Sequence, residues 1–157
     1  MGKVITQFTM SLDGFIAGPD DGVWPLFNWY TSGDTEFPVV PGRPPFPVPC
    51  FIVTHTPPQE WLKEGSPFTF VTDGVGSAVA KATQAAGDKH VAVSGTKIVQ
   101  QCLQAGLLDE INIDLASLLL GEGIRLFDNL GNQLIELENK RVIEGKDVIH
   151  LRFRVVK

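Results

Sequence analysis

The chain has 157 residues, 43% of them apolar and 20% charged, which is the make-up of one globular domain able to bury a real core. A formal charge of −5 without any basic stripe speaks against nucleic acid and anionic membrane as partners. No apolar run reaches the length of a bilayer span, and Met1 to Phe8 lacks the long apolar stretch of a leader. Cys50 and Cys102 both fall on predicted regular elements in apolar surroundings and read as buried free thiols, as expected in a reducing cytoplasm. His55, His90 and His150 show no metal-ligand spacing.

Lys3 to Met10 predicts a first strand. Ser11 to Gly22 follows as a long loop with three glycines and three aspartates. Such a loop, coming straight off a core strand, commonly shapes a ligand site. Asp13 precedes Gly14 there, so it reads either as a turn-capping carboxylate or as a catalytic one. Val23 to Tyr30 holds Trp24, Phe27, Trp29 and Tyr30, either a short core-facing helix or the wall of an apolar pocket. Residues 31–49 carry six prolines within twelve positions, Pro38 to Pro49, and should run extended over the surface.

Cys50 to Val53 predicts a buried strand ending at Thr54-His55-Thr56. Pro57 to Leu62 predicts a short helical turn. Phe68 to Val71 reads as a strand and Val75 to Ala86 as a helix, with Asp73 as its N-cap. Gly74-Val75-Gly76 lacks the third glycine of a dinucleotide fingerprint, since Val79 stands there.

The stretch from Lys89 to Leu120 organises the rest. His90 to Val93 predicts a strand buried on both faces. Ser94-Gly95-Thr96 stops it, and Ile98, Val99, Cys102, Leu103 and Leu107 recur at helical spacing. Gly106 closes that helix as a C-cap glycine. Ile111, Ile113 and Leu115 then resume an alternating strand. A strand that runs straight into a helix aims free N–H groups and the helix dipole at one spot, which suits a phosphate. A plain tight connection with a serine or threonine cap is the other reading of the same residues. Gly121 to Phe127 forms a glycine-flanked loop, and Leu134 to Ile143 pairs with Ile149 to Val155 as an antiparallel hairpin. Strands alternating with helices from residue 50 to 116 make the architecture α/β and mostly parallel, with an antiparallel edge.

Three stretches resemble the dihydrofolate-reductase-like proteins related to the C-terminal reductase domain of the bifunctional riboflavin-biosynthesis deaminase/reductase. Ser11-Leu12-Asp13-Gly14-Phe15-Ile16-Ala17 is similar to that family's S-L-D-G-x-I-A opening, and Phe51 to His55 to its next strand. Ser94-Gly95, Leu103, Gly106 to Glu110, Leu119 to Gly123 and Leu126-Phe127 match its longest motif. The resemblance covers nearly the whole chain, read as a single domain over 1–157, outside residues 31–49. It implies a three-layer fold with a mostly parallel twisted sheet, NADPH (NADP(H)) as cofactor, a small heterocyclic substrate and a homodimer. It implies that Ser94, Gly95, Thr96 and Lys97 take the cofactor's diphosphate and that Thr54, His55 and Thr56 lie near its 2′-phosphate. Ser11, Asp13 and Trp24 fall on the substrate side, with Asp13 or an ordered water as proton donor.

Two departures stand out. Ser94 occupies a position where the family has glycine. The family's further helix and its strand ending in G-R-x-T have no counterpart between the aromatic run and Cys50, where Val39 to Arg43 is only a faint echo. Either the segment is lost, or residues are missing between Val40 and Pro41. Losing charge-assisted bonds to a phosphate costs about 1.5–3 kcal/mol each, so a lost segment implies weak or absent NADPH binding, or a non-catalytic member that keeps the fold as a ligand-binding or dimeric module.

Overall fold

Residues 4 to 11 alternate β-branched or apolar side chains with polar ones, and Val4–Ser11 forms strand β1. In the computed structural model, which describes residues 1–31 and 48–157 (Tyr30 and Thr31 by backbone alone), β1 lies in a five-stranded sheet. Its partners are β5 (Val91–Val93), β6 (Glu110–Ala116), β8 (Leu137–Gly145) and β9 (Val148–Val155), in the order β5-β1-β6-β9-β8. β1 pairs in parallel with β5 and β6, and the β8–β9 hairpin adds antiparallel strands beside β6. Outside this sheet, β3 (Cys50–Val53) pairs in parallel with β4 (Phe68–Val71). This is the expected α/β arrangement of a parallel centre and an antiparallel edge. The proline-rich run and the Val40–Pro41 junction lie outside the described residues.

Two longer helices support the sheet, α2 (Val75–Ala86) and α3 (Thr96–Gln104), after a four-residue α1 (Asn28–Thr31). Helix α3 lays Val99, Cys102 and Leu103 against Val4, Ile111, Ile113 and Val155, with Leu108 and Leu126 filling the remaining space. It ends in a Schellman turn: Leu107 N–H reaches the Cys102 carbonyl at 2.8 Å and Gly106 N–H the Leu103 carbonyl at 3.1 Å. Gly106 takes φ +64°, the left-handed value that position needs.

Side chains alternate along a strand, so the other face of the sheet is set by the same register. It carries Gln7, Thr9 and Ser11 from β1, opposite Asn112, Asp114 and Ala116 from β6. Arg152, His150 and Val148 of β9 complete those three rows.

Several expectations change. Among the described strands β5 is the outermost of the sheet, and with Ala92 and His90 exposed it is not buried on both faces. β3 is half-buried throughout, and Cys50 with it, while Cys102 is fully buried as a free thiol. In the aromatic run the fully buried residue among the described side chains is Leu26 (0% exposed); Trp24 is 73% exposed. α2 is capped by Gly74 at φ +98°, with Asp73 outside it, close enough for an ion pair with Lys81 at 3.6 Å. The hairpin strand β8 starts at Leu137 instead of Leu134, and the chain reverses at Lys146-Asp147, where Asp147 takes φ +61°.

Two short strands escape sequence reading. β2 (Phe15–Ala17) and β7 (Ile124–Arg125) pair antiparallel inside the two predicted loops. Gly123 permits it: at φ +142°, a Cβ there would lie 1.9 Å from the Ala17 carbonyl oxygen. Because that neighbour is backbone, Gly123→Ala is expected to destabilise the fold by at least ~1–3 kcal/mol, read as a shift in the denaturant midpoint at unchanged m.

Candidate active site

The β5–α3 turn is built as the sequence suggests. Gly95 adopts φ +88° and ψ 125°, which turns the chain sharply into α3 with no side-chain cap. The N–H groups of Gly95, Thr96, Lys97 and Ile98 donate to no described residue, whereas Val99 N–H reaches the Gly95 carbonyl at 2.9 Å. Ser94, Gly95 and Lys97 are exposed and Thr96 is half-buried. Open amides, a helix N-terminus and one cationic side chain converge here, which is a fitting cradle for a diphosphate. Ser94 leaves that cradle open.

A second cluster forms where β1 ends. Ser11 is fully buried; its hydroxyl donates to Asp13 Oδ1 at 2.5 Å and accepts from Phe15 N–H at 3.0 Å. Leu120 N–H donates to Asp13 Oδ1 at 3.1 Å and Gly121 N–H to Oδ2 at 2.7 Å. Asp13 therefore clips the β1–β2 loop to the segment after β6. The Ser11 bond is the main cause holding its pKa down at about 2, with the Gly121 and Leu120 amides acting alongside against a smaller effect of burial. At neutral pH Asp13 is an acceptor and holds no proton. This corrects its reading as a proton donor. Ser11 acts through Asp13 and has no surface of its own to offer a ligand.

A depressed native pKa stabilises the fold above the unfolded value and loses that contribution as pH falls through the native one. Part of the wild-type acid unfolding is thus expected between pH of about 4 and about 2, the unfolded and native values for Asp13. Asp13→Asn should flatten that part of a stability–pH curve followed by circular dichroism.

Thr54, His55 and Thr56 follow β3 as a turn closed on itself. Thr54 Oγ1 donates to the Thr56 carbonyl at 3.2 Å and accepts from Thr56 N–H at 3.3 Å. His55 and Thr56 are exposed, so the imidazole remains accessible.

A cleft of about 260 Å³ opens beyond β6, lined by Pro25, Asn28, Trp29, Ala116, Leu118 and Asp147 among others. Trp24 precedes Pro25 in the chain and is not among the residues that line this cleft. A larger cleft of about 530 Å³ lies at the opposite end of the sheet, between Lys3, Asp109 and Arg154. Ligands of open α/β sheets bind outside the carboxyl ends of the parallel strands, which favours the smaller cleft.

Solved structures similar to the chain cover 99% of it. A putative riboflavin biosynthesis protein from Shewanella sp. PV-4 superposes with a TM-score of 0.78 over 99% of each chain, at 18% identity. The Saccharomyces riboflavin biosynthesis reductase Rib7 follows at 0.63, with 16% identity over 99% of this chain and 89% of that one. Enterococcus faecalis dihydrofolate reductase, solved with NADP(H), gives 0.60 at 10% identity over 99% and 98%. The chain has the dihydrofolate-reductase-like fold. No protein-family model matches it. An uncharacterized Bacillus subtilis protein, YwjB, is 26% identical over 152 residues, covering 83% of this chain and 86% of that protein.

Within the dihydrofolate-reductase-like fold, the strand order explains what sequence reading missed. The open amides follow β5, the Asp13 clip follows β1 and the cleft follows β6, three adjacent strand ends. Neighbouring strands are about 4.8 Å apart, so the three features span about 10 Å. The amides of Leu120 and Gly121 and the Arg125 guanidinium, stacked 4.6 Å over the Phe15 ring, carry no sequence signal for this site. Asp109 and Glu110 of the long motif prove structural: Asp109 accepts from Val4 N–H and Lys157, and Glu110 pairs with Lys3.

Proposed function

We propose that the chain is an NADPH-dependent reductase of a small pteridine- or pyrimidine-like substrate, akin to the riboflavin-biosynthesis reductases, acting in the cytoplasm as a homodimer. The observation that carries this reading is the row of open amides from Gly95 to Ile98 on a fold shared with reductases. In it, those amides and Lys97 bind the cofactor's diphosphate, and the exposed His55 approaches the 2′-phosphate. A bound reduced nicotinamide supplies the hydride. Asp13, ionised at neutral pH, orients the loops around the reacting ring and accepts N–H groups of the substrate. Trp24 and the cleft beyond β6 shelter the ring from water. The edge strand β8, exposed along its full length with Leu137, Val142 and Ile143 on it, supports pairing between two copies.

Titration of the protein with NADPH, followed by nicotinamide fluorescence, tests the reading. A saturable change at submillimolar cofactor is expected; its absence would contradict the reductase.

A further inference from the structure

We propose that His150, oriented by Asp114, is the proton donor to the substrate; this deepens the reductase reading and rests on it. His150 Nδ1 lies 2.6 Å from Asp114 Oδ1, across the β6–β9 ladder. An ionised carboxylate only accepts, so the ring proton sits on Nδ1 and the second proton of the imidazolium sits on Nε2. Gln7 Nε2 donates to the other Asp114 oxygen at 3.2 Å and fixes the carboxylate in turn. This is the orienting logic of a carboxylate–histidine pair in acid–base catalysis.

The pair also lies beside residues that line the cleft. Asp114 and His150 share the sheet face of Ala116 and Val148, one row short of the strand end. Ala116 lines the cleft beyond β6, and so does Trp29, whose ring meets the His150 imidazole edge-on at 5.6 Å between centroids. A Cβ on Gly145 would lie at an ordinary contact distance of 3.7 Å from Nε2, which places that nitrogen beside the β8 backbone. The His150 side chain is 33% exposed and that of Asp114 15%, a pair reachable from solvent yet anchored. The other charged groups on that face of the adjoining strands are Glu110 on β6, Arg152 and Arg154 on β9, and Glu138 and Arg141 on β8, with Asp147 at the cleft; the described α1 carries none. Asp13 already accepts from Ser11, Leu120 and Gly121, and His150 is the side chain near the cleft that takes the donor role, in place of an ordered water.

In the step itself, a substrate C=N or C=O carbon gains a hydride from a reduced nicotinamide. The π electron pair moves to the nitrogen or oxygen, and the proton leaves His150 Nε2 to form the N–H or O–H bond. The imidazole is left neutral and water returns its proton, while the nicotinamide ends oxidised.

The test uses the full chain labelled with ¹⁵N-histidine and 7,8-dihydropterin as the probe. Without cofactor, a downfield Nδ1–H resonance is expected, lost in Asp114→Asn, and the Nε2 signal should move when the probe is added. With NADPH, His150→Gln should lower kcat at least 100-fold while NADPH affinity stays within two-fold and the melting temperature holds. His150→Ala should regain turnover in added imidazole, which a structural role would not produce. An Nε2 signal unmoved by saturating probe, or wild-type turnover by His150→Gln, would overturn the proposal alone. Failure of the wild type to bind NADPH would overturn the reductase reading, and this proposal with it.

Discussion

Thr96→Pro is expected to weaken NADPH binding about 10- to 100-fold while leaving the fold intact. Thr96 is the first residue of α3, the position at which proline fits a helix because its N–H has no intrahelical partner. The substitution therefore removes one of the open amides without breaking a helical bond. A charge-assisted hydrogen bond to phosphate contributes about 1.5–3 kcal/mol, which is one to two decades of affinity. Thr96→Val separates the hydroxyl from the amide: it should cost less than the proline variant. Fluorescence titration of the three proteins measures both differences, and thermal melting checks that α3 is undisturbed.

Leu126→Ala is expected to destabilise the protein by about 2–5 kcal/mol, a fall in melting temperature of roughly 5–15 °C for a chain of this size. Leu126 is fully buried in the main core. Its N–H donates to the Gly14 carbonyl at 3.1 Å, and its carbonyl accepts from the buried Gln100 Nε2 at 3.0 Å. The buried side chain thus packs under a backbone that already ties the β7 segment to α3 and to the Asp13 loop. Phe127, its 36% exposed neighbour, serves as the control, and Phe127→Ala should cost much less. Calorimetry of both variants decides it.

How far the sequence spoke depends on the range of the interaction. α3 and its glycine cap were legible because periodicity and capping are local, and so was the alternation of β6. The β8–β9 hairpin was legible to within three residues at its start. β2 and β7 were not, because strands of three and two residues inside glycine-rich loops carry no period. The double-sided burial expected of β5 failed because strand order, which no local pattern encodes, put it outermost among the described strands. The aromatic run misled in part: its rings suggested a core, yet among the described side chains there Leu26 is the buried one, and Trp29 lines the cleft. Of the site, the amide turn could be read as helix geometry. The Asp13 clip could be read only in part, since its partners Leu120 and Gly121 contribute backbone N–H groups more than 100 residues away. The His150–Asp114 pair spans 36 residues and depends wholly on strand register, so neither residue stood out beforehand.

The central claim is that the amides at the start of α3 hold a dinucleotide's diphosphate. Backbone ¹H–¹⁵N spectra of the wild-type protein recorded through an NADPH titration test it most directly. The amide signals of Gly95, Thr96, Lys97 and Ile98 should shift together and rank among the largest changes, following one saturable curve. If NADPH binds while those four signals stay in place, the claim is wrong.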